Sequence, residues 1–140
     1  MHSSKLAPLK IANAQLSLRH VFVRDLVLDS YIGVYDHEKQ APQKVRINVD
    51  LTVVENTQPL HDHIDNVVCY EQIVNAIKTI VNAGHVHLVE TMAEQIADMT
   101  LQDNRIRTAR VRVEKLEAIP GTTSVGIEIE RCCDDNVTVS

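Results

Sequence analysis

The chain has 140 residues, of which 44% are hydrophobic and 24% charged, and a net charge of −5, the composition of one ordinary globular domain. This acidic balance, with one Phe, three Tyr and no Trp, argues against binding nucleic acid through phosphates or base stacking. Three cysteines, two of them adjacent, do not suggest a disulfide framework. No apolar run approaches the ~20 residues of a membrane span, so we expect a cytoplasmic protein.

The first third of the chain predicts a tail and two strands. Residues 1–18 are polar and weakly patterned, which is typical of a flexible N-terminal tail or of an arm against a neighbour. The apolar, β-branched run 21–29 predicts a strand, and the charged segment 30–42, with its glycine and proline, predicts a long turn. Unbroken alternation over residues 44–54 predicts a second strand with one apolar and one polar face.

The rest of the chain predicts two helices and then two more strands. Apolar residues follow helical spacing from Tyr70 to a stop near Gly84, and again from about Val89 to Leu101. Alternation returns in residues 109–114 and 125–130, on either side of a Pro-Gly turn.

The element order ββααββ predicts an α+β fold, an antiparallel sheet with both helices on one face. The opposite face should be wet, because it carries the charged residues of the alternating segments. So few strands leave open sheet edges, and closing several copies into a β-barrel ring would remove them. The predicted domain spans residues 19–132, between the N-terminal tail and a C-terminal tail of residues 133–140.

Two charged residues stand at the ends of predicted elements. Glu90 lies where the second helix begins, so the helix dipole stabilises its charge by roughly 0.3–1 kcal/mol. Its two oxygens can accept hydrogen bonds from adjacent N–H donors of a ligand. Lys115 ends the third strand just before the Pro120-Gly121 turn, so its amine projects from a rigid element. Each alone fits an ordinary solvated residue, but together they indicate a small polar ligand and proton-transfer chemistry.

Four motifs in order resemble the dihydroneopterin aldolase family, and they cover roughly residues 21–131. The motifs are Ile32-Gly33-Val34-Tyr35-Asp36-His37-Glu38, Val67-Val68-Cys69-Tyr70, Leu88-Val89-Glu90-Thr91-Met92-Ala93-Glu94 and Lys115-Leu116-Glu117-Ala118-Ile119-Pro120-Gly121. Their order and spacing carry the resemblance.

The resemblance implies the tunnelling fold and a folate-pathway lyase. Such an enzyme splits 7,8-dihydroneopterin into 6-hydroxymethyl-7,8-dihydropterin and glycolaldehyde, with no metal, no cofactor and no Schiff base. It also implies a homo-octamer of two tetrameric rings, with active sites between neighbouring subunits. The longer N-terminal tail departs from the family without touching its motifs.

The resemblance further implies a role for each site residue. Glu90 would grip the amino-pyrimidinone edge of the pterin, helped by the backbone near Val89. Lys115, Tyr70 and Glu38 would occupy the positions that transfer protons and contact the substrate side chain. The substrate supplies its own electron sink, a C=N bond beside the side chain, so the protein needs only to hold the ring and move protons. Glu38 alone, within a run of charges, would fit a solvated loop.

Three alternatives stay open at this point. A dihydroneopterin triphosphate epimerase would share the fold and much of the site, although no basic cluster near the motifs favours a triphosphate. A non-catalytic pterin- or purine-binding ring protein would keep Glu90 but would not need Lys115 with Tyr70. The histidine pairs of residues 61–63 and 85–87 also raise a zinc site like that of the 6-pyruvoyl-tetrahydropterin synthase group, although both lie in or beside loops.

Overall fold

The computed structural model describes residues 11–55 and 58–133, and these form one four-stranded sheet with helices on one side. None of the helices that it describes is long and apolar enough to cross a bilayer. The elements in chain order are β1 (Leu18–Ser30), α1 (Asp36–Lys39), β2 (Gln43–Val54), a 3-10 turn (Ile64–Asn66), α2 (Tyr70–Val81), α3 (Val89–Thr100), β3 (Ile106–Lys115) and β4 (Val125–Cys132).

The sheet is an antiparallel meander in the order β1-β2-β3-β4, so β1 and β4 are its two edges. At one end of the sheet Val45 of β2 lies between Leu28 and Lys115, and Lys115 also pairs with Val125. β1 is interrupted by a bulge between Val23 and Leu26. The register therefore places Lys115 at the end of the sheet where β1 stops and β4 starts.

One sheet face and the two long helices enclose the core. The apolar side chains of β2 and β3 are buried against the inner faces of α2 and α3, where side chains three and four residues apart share one face. The fully buried members include Ile47, Val49, Ile77, Met92 and Ile96. This confirms the α+β class and the prediction that both helices cover a single face of an antiparallel sheet.

The opposite face is less wet than we expected. Glu114 and Asn48 are only 4% and 8% exposed there, even in one isolated chain. Arg46 forms two hydrogen bonds with the Glu114 carboxylate, of 2.8 and 3.0 Å. A charged face was predicted correctly, but long arginine side chains cover its centre because their stems lie along the sheet while their guanidinium groups reach carboxylates.

The structure extends or corrects several predicted boundaries. β1 begins at Leu18, three residues earlier than the predicted strand, and the predicted long turn contains the one-turn helix α1, which a mixed charged sequence does not signal. Residues 11–17 of the predicted tail make a turn in which Asn13 pairs with Leu18. Residues 1–10 and 134–140, most of the two predicted tails, lie outside the described residues.

Candidate functional site

The first wall of the site is a tight loop after β1. Ile32 is fully buried and anchors the loop in the core. Gly33 follows with φ +131°, a backbone conformation that side-chain-bearing residues rarely adopt. A Cβ at Gly33 would lie 2.3 Å from Cδ of Glu38. The glycine is therefore required both by the turn and by the close approach of a carboxylate.

Helix α1 carries that carboxylate, Glu38, which is 6% exposed. Its Oε2 accepts hydrogen bonds from Lys115 Nζ at 2.7 Å and from Gln43 Nε2 at 2.9 Å. Its Oε1 accepts one from the backbone N–H of Tyr35 at 3.3 Å. The Lys115 hydrogen bond is the main reason why the pKa of Glu38 falls from 4.5 to about 2. A solvated loop, the plain interpretation of this segment, is therefore wrong for Glu38.

Lys115 reaches Glu38 from the last residue of β3. Its side chain is only 16% exposed and forms the ion pair through one of the three N–H donors of an ammonium group. The two residues are 77 positions apart in the chain, so the sheet register and the Gly33 loop together create the pair. The pair joins a fixed carboxylate to an amine that still has donors for a ligand or a water.

Helix α3 forms the second wall, and it begins at Val89 after the extended Leu88. Its first backbone N–H groups have no partner within the helix, and Glu90 lies in the first turn as predicted. Glu90 is exposed, and none of the described residues pairs with its carboxylate. An unpaired carboxylate beside free helix N–H groups can hold a ligand that carries both donors and acceptors.

A cavity of about 390 Å³ lies between these walls, within the range of small-molecule sites. Glu38, Lys115, Glu90 and Val89 all border it, so four of the five predicted site residues come together in one chain. The complete lining is Val34, Tyr35, His37, Glu38, His87, Leu88, Val89, Glu90, Lys115, Ala118, Ile119, Val125, Gly126 and Ile127.

The fifth predicted residue, Tyr70, lies elsewhere. It is 68% exposed and borders a separate cavity of about 670 Å³ with Val53 and Arg105. That cavity is at the far end of the sheet, since Val53 is eight residues along β2 from Val45, the partner of Lys115. At ~3.3 Å per residue this separates the two ends by roughly 26 Å, so one chain does not unite Tyr70 with Lys115.

Sequence reasoning missed two residues of the site. Gln43 uses its amide to hold both Glu38 Oε2 at 2.9 Å and the backbone oxygen of Ile32 at 2.7 Å. Its place at the start of β2 was the one available signal, because a polar residue there can face back along the preceding loop. His87 borders the cavity but was weighed only as a zinc ligand.

The zinc alternative needs three converging ligands. No three His, Cys, Asp or Glu side chains within residues 11–55 and 58–133 converge in a way that could hold a metal ion. His85 donates from Nε2 to the backbone oxygen of Gly33 at 2.7 Å, and its ring lies edge-on to that of His87, 5.1 Å between centroids. His63 lies 3.6 Å from Asp65 on the surface.

Comparison with known proteins identifies the family. The model of the dihydroneopterin aldolase (FolB) family matches residues 21–130. The chain belongs to this family. The dihydroneopterin aldolase of Escherichia coli K12 is 27% identical over 111 residues, which is 79% of this chain and 91% of the relative. A Pseudomonas aeruginosa relative named dihydroneopterin triphosphate 2'-epimerase is 28% identical over 112 residues, 80% of this chain and 91% of the relative.

Solved structures of the family have the same fold. The dihydroneopterin aldolase of Burkholderia thailandensis, bound to guanine, superposes with a TM-score of 0.74 at 33% identity, over 84% of this chain and 93% of that one. The Escherichia coli enzyme in complex with neopterin superposes with a TM-score of 0.75 at 26% identity, over 81% of this chain and 98% of that one. The resemblance seen in the four motifs is thereby confirmed, and it places the chain among lyases.

Proposed function

We propose that this chain cleaves 7,8-dihydroneopterin by a retro-aldol reaction, releasing 6-hydroxymethyl-7,8-dihydropterin and glycolaldehyde. The observation that carries the proposal is the Lys115–Glu38 ion pair, at 2.7 Å, on the wall of the cavity that Glu90 also borders. A binding protein needs an anchor such as Glu90. It does not need a buried proton-transfer pair beside that anchor, so the non-catalytic alternative leaves the pair without a role.

The chemistry needs three things from the protein. Glu90 accepts two N–H groups from the amino-pyrimidinone edge, while the free N–H groups at Val89 meet its carbonyl oxygen. A base takes the proton of the side-chain hydroxyl, the carbon–carbon bond breaks, and its electron pair flows into the C=N bond of the dihydropterin. An acid then protonates the resulting enamine.

The Lys115–Glu38 pair is suited to moving these protons. Glu38 is ionised at neutral pH, because its pKa is about 2, and its carboxylate forms an ion pair with the Lys115 ammonium group at 2.7 Å. Lys115 is therefore the acid that protonates the enamine. A water beside the amine takes the hydroxyl proton as the carbon–carbon bond breaks, and it passes that proton to Lys115 once the amine has protonated the enamine. Glu38 holds the amine in place through both states.

Tyr70 enters this scheme from a second copy of the chain. Tyr70 borders a cavity at the far end of the sheet, and roughly 26 Å of strand separate that end from the end that carries Lys115, so a neighbouring subunit is the source of Tyr70. The free edges β1 and β4 can pair head to tail between copies and close a ring. Such rings, stacked as a homo-octamer in the cytoplasm, complete the proposal.

Turnover tests the reaction. Purified protein with 7,8-dihydroneopterin should release glycolaldehyde and the hydroxymethyl pterin in equal amounts, with or without EDTA. Pterin binding without product would support the binding protein instead. Loss of turnover in EDTA with recovery on addition of zinc would indicate that the histidine pairs bind a catalytic zinc ion.

Mixing two inactive variants tests the shared site. Tyr70→Phe and Lys115→Ala rings, dissociated and reassembled together, contain some sites with both native residues. Recovery of activity only after mixing would support sites built from two subunits. A fully active monomer in sedimentation analysis would exclude them.

The P. aeruginosa relative favours one second candidate, epimerisation of the triphosphate. Lys115 is the single Lys or Arg among the residues that line the described cavity, and Glu38 already neutralises it. Within one chain a triphosphate would therefore find little compensating charge, and Arg19 and Arg105, which border the Tyr70 cavity of the neighbouring subunit, are the cations that could meet it. Parallel assays with dihydroneopterin and its triphosphate, resolved for the 2' stereoisomers, decide between the two: faster conversion of the triphosphate would favour the epimerase.

A further inference from the structure

His85 lies outside the cavity, yet it touches the segment that positions the proton-transfer pair. His85 is not one of the residues that line the cavity between Lys115 and Glu90. Its ring donates a hydrogen bond to the backbone oxygen of Gly33 at 2.7 Å. A carbonyl oxygen only accepts, so Nε2 must carry the hydrogen. A protonated imidazole also donates from Nε2, so the bond persists whether the ring is neutral or charged.

The segment around His85 is tied to the loop after β1 by the backbone as well. Val86 N–H donates to the oxygen of Tyr31 at 3.0 Å, and Gly33 N–H donates to the oxygen of Val86 at 2.9 Å. These bonds form a parallel bridge between Ile32 and Val86. The bridge alone fixes where the two segments meet. The His85 bond adds a third point of attachment, which fixes the orientation of the Gly33 carbonyl.

That orientation matters because Gly33 stands between His85 and Glu38. A single added carbon at Gly33 would lie 2.3 Å from Glu38 Cδ and 2.4 Å from Oε1, so the glycine backbone packs directly on the carboxylate. On the other side, the chain runs from His85 through Val86 into α3, where Glu90 lies five residues later. The contacts thus connect the proton-transfer pair to the pterin anchor.

We propose that His85 is a positioning residue, which holds the Gly33 loop against Glu38 and so sets the Glu38–Lys115 pair relative to Glu90. This inference rests on the proposed cleavage reaction. It predicts that losing the Nε2 donor slows the chemical step and leaves pterin affinity nearly unchanged, because α3 keeps its buried face of Met92, Ala93, Ile96 and Ala97. Gln43 and Lys115 still hold Glu38. The rate loss should therefore be about 10-fold, smaller than the ~10²-fold that a 1 Å displacement can cost.

The test compares three variants with the native protein by single-turnover rate, pterin dissociation constant and urea unfolding. His85→Leu removes the donor, whereas His85→Gln keeps an amide N–H close to the position of Nε2. His63→Leu is the surface control, because His63 is exposed and pairs with Asp65, which does not border the cavity of Glu38 and Lys115. We expect a slower rate with unchanged affinity in His85→Leu, recovery in His85→Gln, and native values in His63→Leu.

The following results would overturn the inference, and failure of the proposed reaction is distinguishable from the others. A native cleavage rate in His85→Leu, or one that His85→Gln fails to restore, would show that His85 does not position the pair. Equal losses of stability in all the His85 variants, with unchanged rate per folded molecule, would make it a merely structural residue. If the native protein itself binds pterin but releases no glycolaldehyde, the proposed reaction fails first, and this inference falls with it.

Discussion

Two buried glutamates lie at the same end of the sheet, one on each face. Both pair with a cation, but only one of the two cations can exchange a proton. Glu38 pairs with Lys115, and Glu114, the residue before Lys115 on β3, pairs with Arg46. Each pairing lowers the pKa of its carboxyl from 4.5 to about 2. A perturbed pKa alone would mark both as functional candidates.

The cations that pair with the two glutamates distinguish their roles. Arg46 grips both oxygens of Glu114 in a planar fork, and Ser124 Oγ donates to Oε1 at 2.6 Å. A guanidinium does not give up its proton, so this arrangement is a fixed structural lock. Lys115 contacts Glu38 at a single point beside a cavity, and its amine can release and regain a proton. The comparison indicates that a functional site is marked by a cation that can exchange protons, more than by the lowered pKa of the carboxyl group that it pairs with.

The strongest way to break this comparison is to remove the exchangeable proton. Lys115→Gln keeps a donor near Glu38 but cannot act as acid or base, so cleavage should slow by about 10²–10⁴-fold while pterin affinity is largely retained. Single-turnover kinetics and a pterin titration measure the two effects side by side. Lys44→Gln, which weakens an exposed 3.1 Å pair with Asp29, is the control and should be native. Equal losses in rate and affinity would remove Lys115 from proton transfer.

The second way is to displace Glu38 without changing its chemistry. Gly33→Ala would push a methyl group against the carboxylate at 2.3 Å, and we expect a rate loss of about 10²-fold from the misplaced pair. Gly84→Ala is a matched control: its φ is +139°, but no atom lies within 4 Å of the added carbon. Both variants should lose about 1–3 kcal/mol of stability from backbone strain. Similar rates in the two folded variants would contradict the role of the Gly33–Glu38 contact.

The third prediction concerns the anchor. Glu90→Gln keeps the shape of the side chain but loses its charge and turns one acceptor into a donor, so pterin binding should weaken by roughly 1.5–3 kcal/mol. Glu71→Gln is the control, because Glu71 occupies the same second position of a 12-residue helix, α2. Both changes remove a similar, small helix-dipole contribution to stability. A calorimetric titration that shows unchanged affinity in Glu90→Gln would exclude it from the site.

The sequence predicted the parts of this molecule that depend on local pattern. Alternation over residues 44–54 predicted β2, and helical spacing with a carboxylate at its start predicted α3 with Glu90 in its first turn. Lys115 was correctly placed at the end of a strand for the same reason. In each case burial of one face imposes a repeat of 2 or 3.6 residues, so the order of apolar and polar residues predicts the element.

What the sequence could not predict depends on distant contacts. Gln43 is an ordinary polar residue until the loop after β1 folds back and brings Ile32 and Glu38 to its amide. Glu38 lies in a charged stretch that resembles a solvated turn, and only the 77-residue separation closed by the sheet pairs it with Lys115. Tyr70 joined the predicted site through family resemblance alone, and one folded chain leaves it at the other end of the sheet.

The smallest effect on the cleavage rate should come from replacing Glu114, the glutamate whose role is structural. Glu114 has a pKa lowered to about 2 in the folded protein, chiefly by the Arg46 hydrogen bonds. A lowered folded-state pKa stabilises the protein above the ordinary value of 4.5, and the contribution disappears as the pH falls from there towards 2. Glu114→Gln should therefore lower the free energy of unfolding by a few kcal/mol at neutral pH and leave the cleavage rate near native.

The difference between native protein and Glu114→Gln should stay constant above about pH 5 and shrink as the pH falls through 4.5 towards 2. The difference should be small at the lowest pH, because protonated Glu114 then leaves Arg46 without a charged partner in the native protein, as Gln does in the variant. The contribution of Glu38 is present in both proteins and cancels in the difference. Urea unfolding at fixed protein concentration measures this difference in free energy of unfolding, since assembly would otherwise shift the midpoint.

Glu128→Gln, whose partners lie 3.9 and 4.0 Å away in solvent, is the control and should give a small, nearly flat difference. A flat profile for Glu114→Gln, or a large loss of rate, would mean that the two glutamates are not divided between structure and chemistry as their partners indicate.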